Sequence, residues 1–514
     1  MHDLKVAIVE LEDEDFEGLR DLYGPIFRMA GYNAVATHFK SENALMRTLE
    51  RSHYHVVICD LSLGSENNWF GLRTIKILKA GFPEIICVGN TRGDLTYQQT
   101  PYPSFDIFVD KGKLNREQEK YQKQIAEQFR RIFRQNVDVE IDSESDVASS
   151  KRFRDPQDKT LQSIVCQVTF TTHTHDQATD IRRVKLEPLT GGRSGSDVFK
   201  MVGYGASDSL SFVPAVLKIS DIDNARREWD NYRRYVKWLI PFSWRADVLG
   251  IAFTKKFGAL CYSFIHSRGR SFDSLTRYIE MGDDSAITLL AETILSPDLK
   301  RWYGLTVQES NISRRYLQRF FSEDGAEVAS RAQFERMIRV YAGASVSNRK
   351  FSLGRREHRL PHEVLLRDLR GAYTSCLCHG DLNSNNIMVS SAGELMFIDF
   401  QHTGWGHAFE DFIMLEISVR LHWPQPNEAA FSDRLEVEGS LIEFGASVQE
   451  AELKQISLVR RAAVDNFPAE SFQNYLYGLS AMIFSILRYG SVEECRRARL
   501  LPCLVASIAA LESA

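Results

Sequence analysis

The sequence predicts two bodies in tandem: a doubly wound parallel α/β sheet over residues 1–134, then an α+β unit with a β-rich front and a helical rear. Three observations predict this. Short apolar runs alternate with amphipathic stretches through the first block. Residues 136–159 (NVDVEIDSESDVASSKRFRDPQDK) are acidic, serine-rich and poor in large apolar side chains. Beyond them strand-like segments come first, and from Ser271 onward the pattern is mainly helical.

In the first block KVAIV (Lys5–Val9), HVVICDL (His55–Leu61), EIICVG (Glu84–Gly89) and FDIFVD (Phe105–Asp110) read as buried strands. Continuous apolar strands separated by helical patterns such as Phe16–Met29 and Gly71–Ala80 imply a parallel sheet covered on both faces. A last helix shows apolar residues at Tyr121, Ile125, Phe129 and Phe133, the spacing of one buried face. Residues 135–159 read as a flexible linker, because they cannot bury a core. The second body divides into a front lobe, 160–265, and a rear lobe, 266–514, with an insertion at about 266–375. Its strand candidates are Ile164–Phe170, Ile181–Leu186, Val198–Val202, Ala215–Ile219 and Leu260–Ile265.

Composition excludes several classes. Of 514 residues 44% are hydrophobic and 25% charged, ordinary values for a globular chain. A formal net charge of −5 gives no global attraction to nucleic acid. The opening MHDLKVAIVELEDED turns acidic where a signal peptide would become apolar. The most apolar helix, Leu476–Leu487, is shorter than the roughly 20 residues a bilayer needs. A cytoplasmic protein is expected. The eight cysteines show no CxxC pair, and Cys376 and Cys378 are expected on opposite faces of a strand, so no metal cluster is assigned.

Functional residues of an open parallel sheet sit beyond the carboxyl ends of its strands. There the first block places Glu10, Glu12 and Asp13, then Asp60, then Lys111. Converging carboxylates hold Mg²⁺ through oxygen, and a lysine pairs with a phosphoryl group. This stretch resembles the receiver domain of response regulators, a flavodoxin-like fold. The resemblance implies Asp60 as phosphoacceptor, Lys111 as its lysine, and an upstream phosphodonor. Two positions depart from the family: Leu11 replaces the second adjacent acid, and the hydroxyl position of the fourth strand falls at Gly89 or Asn90.

The second body carries four features in order. LTGGRSGSDVFKM supplies Gly191, Gly192 and Gly195, a turn whose backbone can approach phosphate. Lys218 lies in an apolar strand, where an ammonium needs an anion. Glu228 follows on a helical pattern. CHGDLNSNNIMV and MFIDFQ then bring Asp381, Asn386 and Asp399. Phosphoryl transfer uses these parts: a loop over the phosphates, a lysine to grip them, a glutamate to fix the lysine, an aspartate for the attacking hydroxyl, and an amide and a carboxylate for Mg²⁺.

This order resembles the aminoglycoside phosphotransferase and choline kinase family of protein-kinase-like, bilobal enzymes, most closely at 376–412. The resemblance implies Asp381 as catalytic base, Asn386 and Asp399 as metal ligands, and Lys218 and Glu228 as the nucleotide-gripping pair. It further implies a hinge at Tyr262–Ile265 that meets adenine, with Ser263 and Ile265 in the nucleotide site. His379 would brace the turn and Asp411 would support it. Asn383 departs from the family, which commonly has histidine there. The basic cluster Arg349, Lys350, Arg355, Arg356 and Arg359 is either a solvated loop or a site for an anionic group.

The expected function is therefore ATP- and Mg²⁺-dependent transfer of a γ-phosphate to a hydroxyl of an unidentified acceptor, regulated by the first block, in bacterial signalling, stress or defence. A protein partner or a second copy could dock through the first block; neither membrane nor nucleic acid is expected. Two other readings stay open: a nucleotide-binding pseudokinase and pseudo-receiver scaffold, and nucleotidyl transfer.

Overall fold

The computed structural model describes residues 2–10, 12–49, 52, 54–60, 70–82, 85–91, 106–116, 118–133, 138–142, 152–172, 181, 183–189, 196–205, 214–254, 256–263, 272–294, 299–366, 371–424, 430–442, 451–490 and 492–513. The chain forms two compact units, residues 1–222 with 248–264, and residues 223–247 with 265–514. Among the described residues no helix is long and apolar enough to cross a membrane.

Among its described residues the first unit holds two sheets. Five parallel strands, β1 (His2–Val9), β2 (Tyr32–Phe39), β3 (Val56–Asp60), β4 (Ile86–Thr91) and β5 (Ile107–Asp110), are arranged in the order β2-β1-β3-β4-β5. This is the doubly wound order 2-1-3-4-5, whose functional edge is the carboxyl end of the strands. Ile8, Ile58, Val88 and Ile107 pack on one face against Tyr23, Phe27 and Phe129. Val9, Cys59 and Cys87 pack on the other face with Leu45 and Ile75. Each such aliphatic side chain contributes about 1.5–3 kcal/mol when buried. The strand β2, an amphipathic edge, is an element beyond the four apolar runs.

The second sheet has six strands, β6 (Asp138–Ile141), β7 (Arg183–Pro188), β8 (Asp197–Tyr204), β9 (Ala215–Asp221), β10 (Val248–Phe253) and β11 (Phe257–Ser263), in the order β10-β11-β9-β8-β7-β6. Two sequence expectations change here. Residues 164–170 are part of a helix, Lys159–Thr172, whose Leu161, Ile164, Val165 and Val168 are buried against the sheet. That 3–4 residue spacing is helical, and it outweighs the β-branched composition. The stretch read as a flexible linker contains β6, paired in parallel with β7, and Phe153 is buried. Alternation of Val139 and Ile141 with acidic residues suits a strand with one buried face.

The second unit is largely helical, with three small sheets among its described residues. Strands β12 (Phe272–Ser274), β18 (Ile387–Ser390) and β19 (Leu395–Phe397) form one. Strands β13 (Thr306–Ser310), β17 (Ala372–Cys378) and β20 (Gly404–His407) form the second. Strands β14 (Ser345–Ser347), β15 (Lys350–Leu353) and β16 (Arg356–Arg359) form the third. The helical core carries an ion network. Buried Glu416 accepts from Arg420 and from Arg460, each at 2.8 Å, and from the Tyr475 hydroxyl at 2.7 Å. Burial works against its charge, yet Arg460 and Arg420 bring its pKa down to about 2. Cys376 and Cys378 share one face of β17, with sulfurs 3.8 Å apart, because residues i and i+2 of a strand point the same way. Their expected opposition is corrected.

Candidate active site

Strand β17 ends at Cys378, and the chain then makes a polar turn before entering β18 through a 3₁₀ turn at Ser384–Asn386. The turn is fixed plane by plane. The backbone N–H groups of His379 and Gly380 donate to Asp411, at 2.7 and 2.9 Å. Asp411 begins the helix Glu410–His422, so the aspartate expected to support the turn does so from a helix start. Burial raises its pKa to about 7 against the pull of those two N–H bonds. His379 Nε2 donates to the Ile398 carbonyl at 3.0 Å, and Thr403 Oγ1 donates to the His379 carbonyl at 3.2 Å. Gly380 is required: its φ is +81°, and a Cβ would come within 2.2 Å of the His402 carbonyl oxygen.

Asp381 emerges from this frame with both carboxylate oxygens directed. Asn383 Nδ2 donates to Oδ1 at 3.0 Å, and Asn386 Nδ2 donates to Oδ2 at 3.2 Å and to the Asp381 carbonyl at 2.8 Å. Asn383, the departure from the family pattern, also accepts from the Asn385 N–H at 2.9 Å and so caps the 3₁₀ turn. Burial raises the Asp381 pKa to about 6; the Asn383 bond opposes this, and the charge of Asp399 adds to it. Asp399 follows β19 in a left-handed conformation, φ +65°. Next to it, the Ile398 N–H donates to the Asn386 carbonyl at 3.0 Å. Asp381, Asn386 and Asp399 are thus brought to one place. Asn386 commits its amide hydrogens to Asp381, which leaves its Oδ1, with the Asp399 carboxylate, as the oxygen donors of the turn. Two oxygen donors of this kind fit Mg²⁺.

Several residues of this site were not singled out in the sequence. Thr276 Oγ1 lies 2.6 Å from Ser384 Oγ and donates to Asn385 Oδ1 at 3.0 Å. The Ser384 N–H donates to Ser418 Oγ at 3.1 Å. Arg319 donates to the Gly380 carbonyl and pairs with Glu410. A short hydroxyl or a helix-face arginine carries no local signal of such a role.

Lys218 is buried in β9, in register with Val198 of β8 and Leu260 of β11. Ser263 ends β11 and is half-buried. Glu228 is fully buried in the helix Ile222–Asn231. Gly191, Gly192, Gly195 and Ile265 lie outside the described residues. Arg349, Lys350, Arg355, Arg356 and Arg359 are exposed around β15 and β16; Lys350 pairs with Glu357 at 2.8 Å and Arg359 with Glu512 at 3.3 Å.

The carboxyl edge of the first sheet brings together fewer acids than expected. Asp60 is buried and paired with Lys111, and buried Glu10 follows Val9, the register partner of Cys59. Asn90 is in register with Asp60 and fully buried, and its carboxamide has no hydrogen-bond partner among the described residues. Glu12 and Asp13 stay outside this cluster. Glu12 is exposed, and Asp13 pairs with Lys40 at 2.7 Å and lies 3.2 Å from His38. The Lys40 bond lowers the Asp13 pKa.

Comparison with known proteins gives two family matches. Residues 182–333 match the model described as ternary complex associated domain 9. Residues 315–449 match the phosphotransferase enzyme family. No curated protein matches the chain. Similar solved structures include an aminoglycoside phosphotransferase, APH(3'')-Id, from Streptomyces rimosus, at 18% identity over 54% of this chain and 92% of that one, with a TM-score of 0.26. An ethanolamine kinase from Plasmodium vivax has 13% identity over 64% and 83%, TM-score 0.29. The choline kinase LicA from Streptococcus pneumoniae has 11% identity over 56% and 95%, TM-score 0.26. The phosphotransferase enzyme family thus accounts for residues 315–449, the stretch that contains Asp381, Asn386, Asp399 and Asp411.

Proposed function

We propose that the chain transfers the γ-phosphate of ATP to a hydroxyl acceptor. The observation that carries this reading is the Asp381 turn: a carboxylate with both oxygens directed, an asparagine whose amide hydrogens point to it, and a second carboxylate, Asp399, close enough for its charge to act on Asp381. Asp381 accepts the proton of the attacking hydroxyl. Its raised pKa, about 6, keeps it ionised at neutral pH yet basic enough for that proton. Asn386 and Asp399 hold Mg²⁺, which when bound neutralises charge on the transferred group. Lys218 and Glu228 are assigned to the phosphates, and Gly191, Gly192 and Gly195 to the loop above them, on their order in the sequence. Ser263 and Ile265 are assigned to the adenine side.

Affinity for ATP with and without Mg²⁺ tests the metal assignment. Asp399→Ala is expected to lose the Mg²⁺-dependent part of the affinity while Mg²⁺-free binding persists. Wild-type Mg²⁺-ATP affinity in that variant refutes the assignment.

The first sheet is proposed as a receiver-like regulator, with Asp60 as phosphoacceptor and Lys111 as its counter-cation. A carboxamide buried without a partner costs about 1–3 kcal/mol, so Asn90, beside Asp60 and with none among the described residues, suits a group that arrives with oxygen acceptors. Incubation with acetyl phosphate and Mg²⁺ is expected to add one phosphoryl mass, absent in Asp60→Asn. No addition to the wild-type chain opposes the proposal.

A second reading, a nucleotide-binding scaffold acting through protein partners, is favoured by the match of residues 182–333 to a domain described as ternary-complex associated. The retained Asp381, Asn386 and Asp399 speak against it, since a scaffold has no need of all three.

A further inference from the structure

We propose that Arg319 is a positioning residue for Asp381, tying the inserted segment 266–375 to the catalytic turn. The inference rests on the phosphotransferase reading above. Arg319 lies in the helix Ile312–Phe320, one turn after Arg315 and on the same face. Its guanidinium donates to the Gly380 carbonyl and pairs with Glu410. Arg315 donates to the Trp405 carbonyl at 2.8 Å and lies 3.4 Å from Glu410.

The arrangement is built into the fold. Glu410 is 1% exposed, and a carboxylate so buried needs cations around it. The backbone leaves room for them: a Cβ at Gly406 would lie 2.8 Å from Glu410 Oε2 and 3.2 Å from Arg315 Nη2.

A peptide unit is planar, so a bond to its carbonyl or its N–H fixes the whole plane. Asp411 holds the planes that carry the N–H groups of His379 and Gly380. Arg319 holds the next plane, which runs from the Gly380 carbonyl into Asp381. The three successive planes before the Asp381 side chain are fixed by Glu410's neighbour on one side and Glu410's partner on the other. The side chain of Arg319 keeps about a fifth of its surface exposed (21%), so groups arriving from solvent can reach it.

Asn383 and Asn386 donate to the Asp381 carboxylate. Glu410 is occupied by the two arginines, and Asp411 by the turn and by the Tyr303 hydroxyl at 3.2 Å. Removing Arg319 therefore frees the peptide plane that leads into Asp381.

The test uses the full chain with Arg319→Ala and Arg319→Lys, with folding checked by thermal unfolding. Mg²⁺-ATP hydrolysis, with water as acceptor, is followed at neutral pH. Arg319→Ala is expected to lower kcat on the order of 10- to 100-fold, with KM for Mg²⁺-ATP within about threefold, because a misplaced base costs rate more than binding. Arg319→Lys restores only part of kcat, because the two contacts to the Gly380 carbonyl and Glu410 need the two-pronged guanidinium. A folded Arg319→Ala with wild-type kcat overturns the proposal. Absence of turnover in the wild-type chain is a failure of the phosphotransferase reading instead. The role of Arg319 is then decided by amide hydrogen exchange across residues 379–383. Faster exchange there in Arg319→Ala supports the proposal, and unchanged exchange overturns it.

Discussion

At the scale of single residues, the Asp381 turn works because each short polar side chain has one local task. Asn383 and Asn386 direct the carboxylate, His379 bridges to Ile398, and Asp411 collects two N–H groups. Gly380 makes this possible by taking a left-handed φ against the His402 carbonyl. Gly380→Ala is expected to cost on the order of 2–4 kcal/mol, from the left-handed penalty and the backbone clash, and to reduce turnover with it. Chemical denaturation checks this; a loss below about 0.5 kcal/mol, the range of an ordinary surface change, contradicts the expected clash. That Asp381, Asn386 and Asp399 gather at one turn was legible because their types are chemically distinctive and they flank two short strands. Thr276, Ser418 and Arg319 were not, because each reaches the turn from an element distant in sequence. The cysteine pair was misjudged by parity alone: residues two apart on a strand share a face.

At the scale of elements, the apolar strands of the first sheet were readable because β3 is buried on both sides over all five of its residues. The edge strand β2 was harder: it shows only one buried side, with exposed residues between. Residues 164–170 misled in the other direction. Their Ile, Val and Thr content is that of a strand, yet Leu161, Ile164, Val165 and Val168 repeat at helical spacing and bury one helix face. Composition lost to period, as it does when a segment has a sheet to pack against. The acidic stretch before it hid β6, because charges in alternate positions make a segment polar as a whole without disturbing strand periodicity. For the helix Ile312–Phe320, nothing local distinguishes Arg315 and Arg319 from a solvated face. Their meaning comes from Glu410, some ninety residues later in the chain.

At the scale of the whole molecule, the order of parts was legible: a parallel sheet, a second sheet, then helices around the turn. The functional edges follow from that order, since both candidate sites lie where strands end and polar turns begin. Among the acids expected at the first edge, Glu10 and Asp60 follow register partners on neighbouring strands, while Asp13 pairs with Lys40. The distribution of charge at the second edge bears on the reaction. A general base acts when ionised, and a pKa raised to about 6 in the folded chain places the loss of activity on acidification near that pH, above the ordinary aspartate range. Everything proposed for the second unit depends on the Asp381 turn moving a phosphoryl group. The most direct measurement is incubation of the full chain with γ-labelled ATP and Mg²⁺ beside Asp381→Ala, followed by mass spectrometry of the protein and of small molecules. The wild-type chain is expected to release or transfer the label, with a fall of at least about 100-fold in the variant. Equal label movement in both, or nucleotide bound by both with none turned over, would contradict a phosphotransferase.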